Sequence, residues 1–404
     1  MFSHIPPYAG DPVLSLNEEF QTDTRSPKVN LSIGVYFDDT GKLPTIRAVK
    51  KVESTLQASI APHPYLPMAG HTQYREVAQK VVFGADLKDR LRDRLTTIQT
   101  LGGSGALKVG ADFLKHYFPQ SDVWASDPTW DNHKVLFEGA GFAVNHYPYY
   151  DPQSGGVRFT ETLETLDRLP AQSIVLLHAC CHNPTGVDLS GDQWAELAPI
   201  FLRRNLIAFV DMAYQGFGSG IDEDAAGVRL LAEAGVPLLV ASSFSKNFSL
   251  YGERCGALSV VCASAAEAER VLGQLNAKVR ANYSNPPTYG ATLISRVLSD
   301  EALTAEWTDE LHGMRTRMLS MRSALHARLD GKVDDSLRAR YINQRGMFTY
   351  TGLNKTQVDR LKNEFAIYLV NSGRMCVAGL SESNVDYVAS SIAVVAAADT
   401  NNRA

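Results

Sequence analysis

The sequence has few cysteines, no long apolar run and no excess of basic residues, and each shortage excludes a class of protein. Its five cysteines, two of them the adjacent Cys180 and Cys181, form no disulfide framework and indicate a reducing cytoplasm. No run of about 18 apolar residues predicts a membrane-spanning helix. The N-terminus lacks the basic start and apolar core of a signal peptide. With 39 Lys and Arg against 44 Asp and Glu, the net charge of −5 argues against nucleic-acid binding.

Short apolar segments alternate with helical patterns over much of the chain. At 404 residues and 44.2 kDa, the chain is long enough for two or three domains. Apolar runs without clean alternation predict strands buried on both faces, here at 97–101, 123–126, 173–179, 206–214, 237–244 and 256–261. Intervening helices are predicted at 104–117, 130–140, 191–205 and 223–235. This order predicts an α/β fold in which helices cover a mainly parallel sheet.

The pattern changes after residue 264, where long helical stretches follow one another. Helices are predicted at 265–281, 288–299, 301–330 and 355–371. A smaller α/β domain is the natural interpretation, and the loop-like N-terminal segment returns to it. The predicted division is an arm at 1–12, a small domain formed by 13–44 with 313–404, and a large domain at 45–312.

The chemistry of such a fold is expected beyond the carboxyl ends of its strands. GGSGAL at 102–107 puts small residues at a helix start, which suits a phosphate, although an ordinary glycine-rich turn is the better explanation of this motif taken alone. CCHNPTG at 180–186 indicates a turn. The nearby HACCH segment lacks a second pair of ligands, so no metal site is predicted.

Two further strand ends carry ionisable residues. Asp211 ends an apolar strand, where a buried carboxylate needs a proton-bearing or cationic partner, unless it caps a helix. Lys246 follows another apolar strand between two phenylalanines, and burial favours a neutral, nucleophilic amine. Two serines and an arginine nearby suit a phosphate. These are the groups that a protein supplies to pyridoxal phosphate.

Four motifs taken together resemble the fold-type I aminotransferases of the aspartate/aromatic family. They are SFSKNFSLYGERCG (243–256), CCHNPTG (180–186), DMAYQGF (211–217) and RANYSNPP (280–287). The resemblance extends over nearly the whole chain, from YAGDP (8–12) to SGRMCVAGL (372–380). YLPMAG (65–70) and NQRGMFTYTGL (343–353) look closest to the bacterial aromatic-amino-acid branch.

The resemblance implies a role for each cofactor-binding residue. Lys246 forms a Schiff base with pyridoxal 5'-phosphate and later moves a proton, and Asp211 keeps the pyridine nitrogen protonated. Asn183 and Tyr214 form hydrogen bonds to the phenolic oxygen of the cofactor. The remaining positions are Trp130 on the ring, Gly103, Ser104, Ser243, Ser245 and Arg254 at the phosphate, Tyr65 reaching the phosphate of a neighbouring subunit, and His133 and His178 orienting Asp211.

The resemblance also implies a substrate site and a homodimer. Arg374 and the backbone at Gly34 bind the α-carboxylate, beside Trp130 and Asn183. Arg280 binds a distal carboxylate across the dimer interface. On the residues alone, a surface ion pair is the better explanation of either arginine, and only the family resemblance reverses that interpretation. The expected partners are amino acids, 2-oxo acids and a second copy of the chain, with no nucleic acid, membrane or metal.

The predicted activity is transfer of the amino group of tyrosine, phenylalanine and aspartate to 2-oxoglutarate by a ping-pong mechanism. The alternative is an aspartate aminotransferase with minor aromatic activity. Arg280 does not decide between them, because glutamate is the shared amino donor in the family. A lyase or decarboxylase is disfavoured by the two carboxylate-binding arginines, and a non-catalytic regulator by the intact Lys246 and Asp211.

Overall fold

The computed structural model describes residues 1–8, 10–57, 62 and 64–397. Ala9, in the predicted arm, and residues 398–404, in the predicted small domain, lie outside the described residues. The helices are α1 Pro12–Thr22, α2 Arg47–Gln57, α3 Thr72–Leu91, α4 Gly102–Tyr117, α5 Asp131–Glu138, α6 Phe159–Leu166, α7 Gly191–Arg204, α8 Ala226–Ala234, α9 Ala265–Asn282, α10 Tyr289–Ser299, α11 Glu301–Arg328, α12 Asp335–Asn343, α13 Lys355–Phe365 and α14 Val385–Ala397. The strands are β1 Val29–Asn30, β2 Leu95–Leu101, β3 Val123–Asp127, β4 Val144–Pro148, β5 Ile174–His178, β6 Ile207–Met212, β7 Leu238–Ser243, β8 Cys255–Val261, β9 Phe348–Tyr350, β10 Ile367–Tyr368 and β11 Arg374–Cys376.

The chain divides into two compact units. One comprises Met1–Leu43 with Arg317–Ala404, and the other comprises Pro44–Thr316. The division falls inside α11. The assignment of these parts to an arm, a small domain and a cofactor-binding domain stays a prediction.

The unit Pro44–Thr316 is built on a seven-stranded sheet in the order β2-β8-β7-β6-β5-β3-β4. β8 runs antiparallel to both of its neighbours, and the other pairs are parallel. The predicted fold class, a mainly parallel sheet between helices, is confirmed. β4 was not predicted because its sequence, VNHYP, is short, polar and only partly buried. The carboxyl ends of β2, β3, β5, β6 and β7 share one edge of the sheet, where β8 begins.

The strands in the middle of this sheet are apolar because helices cover both of their faces. Every residue of β6 and β7 is buried. On one face α4 lies so close that a Cβ atom on Gly110 would be 2.5 Å from the ring of Phe209. Only glycine permits that approach. The tight packing fixes the start of α4 beside the ends of the central strands.

The unit Met1–Leu43 with Arg317–Ala404 contains two small sheets and its own apolar core. β1 pairs parallel with β10, and β9 pairs antiparallel with β11. The core lies between these sheets, α13, α14 and the second half of α11.

Two predictions in this unit are wrong. The helix predicted at 355–371 ends at Phe365, because Ala366 adopts a left-handed conformation with φ 50° and the chain then enters β10. The N-terminal segment predicted to be loop-like contains α1. Its start is capped by the Asp11 carboxylate, which accepts the N–H groups of Val13 and Leu14.

Within the described part of the chain, none of the helices is both long enough and apolar enough to cross a membrane.

Candidate active site

Asp211 lies buried near the end of β6, at the edge where the strand ends meet. Its Oδ2 lies 3.0 Å from Nε2 of His133, and Nδ1 of that ring lies 2.8 Å from Oγ1 of Thr129. Burial alone would raise the pKa of Asp211. The hydrogen bond from His133, together with the positive charge of Lys246, instead holds this pKa below its ordinary value. A carboxylate therefore stays ionised at this edge.

His178 ends β5 in register with Asp211 on β6. Its two ring nitrogens are buried and have no hydrogen-bond partner among the described residues. Burial, and next the neighbouring His133, lower the pKa of His178 to about 3, so the ring is neutral at physiological pH. Of the two histidines predicted to orient Asp211, His133 makes the direct contact and His178 lies beside it.

A third histidine, His182 of the HACCH segment, continues this row of rings. The His182 ring centroid lies 4.2 Å from that of His178, and Tyr149 stacks on the other side of His182 at 4.2 Å. The hydroxyls of Ser126 and Thr185 lie 2.9 and 2.8 Å from its two ring nitrogens. The HACCH motif contains His182, but the spacing of that motif does not indicate that Tyr149 and Ser126 lie next to it.

Trp130 and Asn183, both predicted at the cofactor, lie in segments held by nearby polar contacts. Trp130 directly precedes α5, and its ring meets the edge of the His133 ring at a centroid distance of 5.2 Å. Asn183 is buried in the loop after β5. The Asp188 carboxylate accepts the N–H groups of Cys181 and His182 in this loop and fixes its path.

The predicted phosphate site forms where α4 begins, next to the end of β7. The N–H of Gly102 donates to the carbonyl oxygen of Arg254 at 2.9 Å. A Cβ atom on Gly102, whose φ is +69°, would lie 2.7 Å from a guanidinium nitrogen of Arg254. A Cβ atom on Gly256 would lie 2.3 Å from the backbone of Gly102. Glycine at both positions therefore brings the helix start, β8 and the guanidinium together.

The other predicted phosphate ligands adjoin this point. Ser243 Oγ lies 3.2 Å from Ser245 Oγ and accepts the Ser245 N–H at 3.3 Å. An added Cβ on Gly103 would lie 3.2 Å from Ser243 Cβ. Gly103 and Ser104 stand in the first turn of α4, where backbone N–H groups have no partner within the helix. Hydroxyls, N–H groups and one guanidinium thus converge without a carboxylate among them.

Lys246 occupies the turn after β7 and is partly buried. Its Nζ lies 5.0 Å from the centroid of the Tyr214 ring. The next residue, Asn247, accepts the indole N–H of Trp307 at 2.7 Å, and its amide donates to the Gln215 carbonyl at 3.2 Å. These buried contacts hold the turn that presents the lysine. Trp307, about sixty residues away in sequence, was not predicted because nothing local links it to this turn.

Among the residues that the structure describes, two clusters each group three side chains of metal-binding type, His133 with His178 and Asp211, and Cys180 with Cys181 and Asp224. In the second, the Asp224 carboxylate already accepts the N–H groups of Gly216, Gly218 and Ser219. The hydrogen bond with Cys181, and then burial, raise the pKa of the Cys180 thiol well above its usual value. A protonated thiol and an occupied carboxylate are poor metal ligands.

The unit Met1–Leu43 with Arg317–Ala404 carries Arg374 and Gly34. Arg374 is buried in β11, donates to the Ser32 carbonyl at 2.7 Å, and lies over the Phe348 ring at 4.4 Å from its centroid. The segment that contains Gly34 is joined to β11, where the Cys376 N–H donates to Leu31. A buried, oriented guanidinium suits recognition of a carboxylate.

The two residues predicted to serve a neighbouring subunit lie at the surface of the unit Pro44–Thr316. Tyr65 is 91% exposed. Arg280 is exposed in the last turn of α9, where its guanidinium donates to Ser284. Neither contacts the cluster around Asp211 in any described interaction, so the predicted roles of Tyr65 and Arg280 require another copy of the chain.

Comparison with known proteins places this chain in a family. Residues 26–392 match the model of aminotransferase class I and II. The chain is 56% identical to the aromatic-amino-acid aminotransferase of Escherichia coli, over 98% of this chain and 100% of that protein. It is 49% identical to the aspartate aminotransferase of Pseudomonas aeruginosa, over 98% and 99%. A solved aromatic-amino-acid aminotransferase from Burkholderia pseudomallei, covalently bound to pyridoxal phosphate, is 49% identical with a TM-score of 0.95, over 98% and 99%.

The chain belongs to the class I and II aminotransferase family. The family resemblance, the fold class and the aminotransferase activity predicted from the sequence are confirmed. The roles of individual residues stay predictions.

Proposed function

We propose that this aminotransferase moves the amino group of tyrosine, phenylalanine and aspartate to 2-oxoglutarate by a ping-pong mechanism. The enzyme depends on pyridoxal phosphate, as its family and the covalently bound cofactor of one relative indicate. The observation that carries the proposal is the convergence of Lys246, Asp211 and the Gly102–Arg254 pair at one edge of a single sheet. An amine, a carboxylate and a phosphate cradle are the three groups that this cofactor requires.

The residues present fit the cofactor in their charges as well as in their chemical groups. The proposed phosphate site offers hydroxyl, N–H and guanidinium groups, all of which can donate hydrogen bonds. The Arg254 side chain lies against Gly102, and a side chain at position 102 would occupy the space that the guanidinium needs. Asp211 stays ionised because His133 hydrogen-bonds to it. We assign Gly103, Ser104, Ser243, Ser245 and Arg254 to the phosphate, Asp211 to the pyridine nitrogen, Trp130 to the ring face, and Asn183 and Tyr214 to the phenolic oxygen.

Bound pyridoxal phosphate supplies an electron sink that stabilises negative charge on the substrate Cα atom. The Asp211 carboxylate would accept a hydrogen bond from the protonated ring nitrogen and so keep that nitrogen positively charged. The Lys246 amine, once displaced by the substrate, would take the proton from the substrate Cα and deliver it to the C4′ carbon of the cofactor. The Asn247–Trp307 contact limits the movement of the lysine turn, which keeps the amine within reach of that proton.

The substrate assignment is supported by the relatives and by the arginines. We assign the α-carboxylate to Arg374 with Gly34, and the distal carboxylate to Arg280. An aromatic-amino-acid aminotransferase and an aspartate aminotransferase are both about half identical to this chain. The second candidate, an aspartate aminotransferase with minor aromatic activity, is favoured by the 49% identity to the aspartate aminotransferase of Pseudomonas aeruginosa. Five buried free cysteines support a reducing cytoplasm as the location.

The test is kcat/KM for tyrosine, phenylalanine and aspartate with 2-oxoglutarate, on the wild-type enzyme and on Arg280→Leu. Aromatic values equal to or above the aspartate value support the proposal, and aspartate far ahead supports the second candidate. Arg280→Leu should lower the aspartate value roughly a hundredfold, because a charge-assisted bidentate contact is lost, while phenylalanine changes little. Equal losses on both substrates would remove Arg280 from the distal carboxylate.

A shared active site is tested by mixing two inactive subunits. Lys246→Ala chains refolded with Arg280→Leu chains should form hybrid dimers in which one site has both Lys246 and Arg280. Aspartate turnover should then reappear at up to about a quarter of the wild-type value for random pairing. A mixture that stays as inactive as its components would contradict the homodimer with shared sites.

A further inference from the structure

Gln99 is a buried polar residue on β2 that the proposed chemistry does not use. It is 1% exposed and lies near the middle of the strand, opposite Ala257 on β8. Both ends of its amide nevertheless make hydrogen bonds, and each goes to a different chain segment. A buried amide satisfied in this way fixes the position of its partners, because leaving any of these groups unpaired is costly.

The first segment is the one that follows Tyr65. The backbone N–H of His71 donates to Gln99 Oε1 at 3.0 Å, and the Gln99 N–H donates to the Ala69 carbonyl at 2.9 Å. Gly70, with φ +87°, has no room for a side chain, since a Cβ there would lie 2.3 Å from Gln99 Cβ. Residues 69–71 are therefore fixed directly on this one residue.

The second segment follows Arg280. Gln99 Nε2 donates to the Pro287 carbonyl at 2.7 Å, and the Tyr283 hydroxyl donates to the Gln99 carbonyl at 3.4 Å. The guanidinium of Arg280 donates to Ser284, between these two anchor points. The orientation of Arg280 thus depends on a segment held at both ends by Gln99.

We infer that Gln99 is a positioning residue that sets the Tyr65 segment and the Arg280 segment together, and so aligns both for the neighbouring subunit's site. This inference rests on the proposed function, which assigns Tyr65 to the phosphate and Arg280 to the distal carboxylate. Tyr65 lies four residues before Ala69 and Arg280 three before Tyr283, so each is close to its anchor along the chain. One side chain then couples cofactor affinity to dicarboxylate recognition.

The test is Gln99→Met, which keeps the side-chain volume and removes both amide hydrogen bonds. The matched control is Gln79→Met, because Gln79 hydrogen-bonds Thr97 on the same strand and touches neither segment in any described contact. In the holoenzyme, Gln99→Met should speed amide hydrogen exchange in both 64–71 and 280–287. The KM for aspartate should rise about tenfold and cofactor affinity should fall, with the KM for phenylalanine within about twofold.

Tyr283→Phe removes one of the two contacts on the Arg280 side, the hydroxyl bond to the Gln99 carbonyl, and none on the Tyr65 side. It should raise the KM for aspartate without changing cofactor affinity. Faster amide exchange in only one of the two segments would overturn the inference. So would equal changes in KM for aspartate and phenylalanine in Gln99→Met, provided that Arg280→Leu affects the two substrates differently. If Arg280→Leu itself does not discriminate, the proposed substrate role has failed, while joint loosening of both segments still supports their coupling through Gln99.

Discussion

Gly102→Ala tests whether the close contact between the start of α4 and Arg254 serves the cofactor. Gly102 has φ +69°, a conformation that costs alanine about 1 to 2 kcal/mol, and this strain lowers the free energy of unfolding. The new Cβ would lie 2.7 Å from the end of the Arg254 side chain. Because that end is flexible, the clash is relieved by displacing the guanidinium rather than by distorting the fold. The expected result is therefore a small loss of stability with a larger loss of cofactor affinity.

The magnitude follows from the group displaced. A hydrogen bond to a charged group contributes about 1.5 to 3 kcal/mol, so losing the phosphate contact of Arg254 should raise the Kd for pyridoxal phosphate roughly tenfold to a hundredfold. Cofactor titration of the apoenzyme measures the Kd, and denaturant unfolding measures stability. Gly191→Ala is the matched control, since Gly191 also opens a helix but has open space around its Cβ position. It should leave cofactor affinity unchanged.

A double-mutant cycle separates the two effects of this substitution. In an Arg254→Met background, Gly102→Ala should lower stability as before but should not weaken cofactor binding further. A Gly102→Ala enzyme that is destabilised yet binds the cofactor like wild type would refute the assignment of Arg254 to the phosphate. Equal loss of affinity in both backgrounds would show that the helix start, and not the guanidinium, is the group disturbed.

Two further predictions follow from the same cluster. Lys246→Ala should nearly abolish turnover and remove the visible absorption of the lysine-linked cofactor, while cofactor still binds; a variant with most of its activity would contradict the assigned role of Lys246. The lowered pKa of His178, about 3, means that the unfolded chain binds a proton below pH 6.5 that the folded protein does not, so stability should fall as pH is lowered from 6.5. His178→Phe should reduce that slope by up to about 1.4 kcal/mol per pH unit in denaturant unfolding, and an unchanged slope would show that His178 is protonated in the folded enzyme.

Much of the sheet could be predicted from local pattern alone. Strands buried on both faces are continuous apolar runs, and six of the seven strands of the large sheet stand out in this way. β4 does not, because an edge strand that is partly exposed carries polar residues. The end of α13 was misjudged for a related reason. The apolar residues after Phe365 continue a helical pattern, and only the left-handed Ala366 and the pairing of β10 with β1 end it.

The sequence by itself determined the chemistry of this protein, because the residue types that follow each strand can be identified without knowing how distant segments pack. Lys246, Asp211 and the Gly-Ser helix start can each be recognised from the neighbouring sequence. A parallel sheet then brings the ends of its strands to one edge. Only the tertiary structure decided what supports them. Trp307 holds the turn that carries Lys246, and Gln99 joins two segments more than two hundred residues apart. Those contacts depend on packing between distant parts of the chain, which no local pattern records.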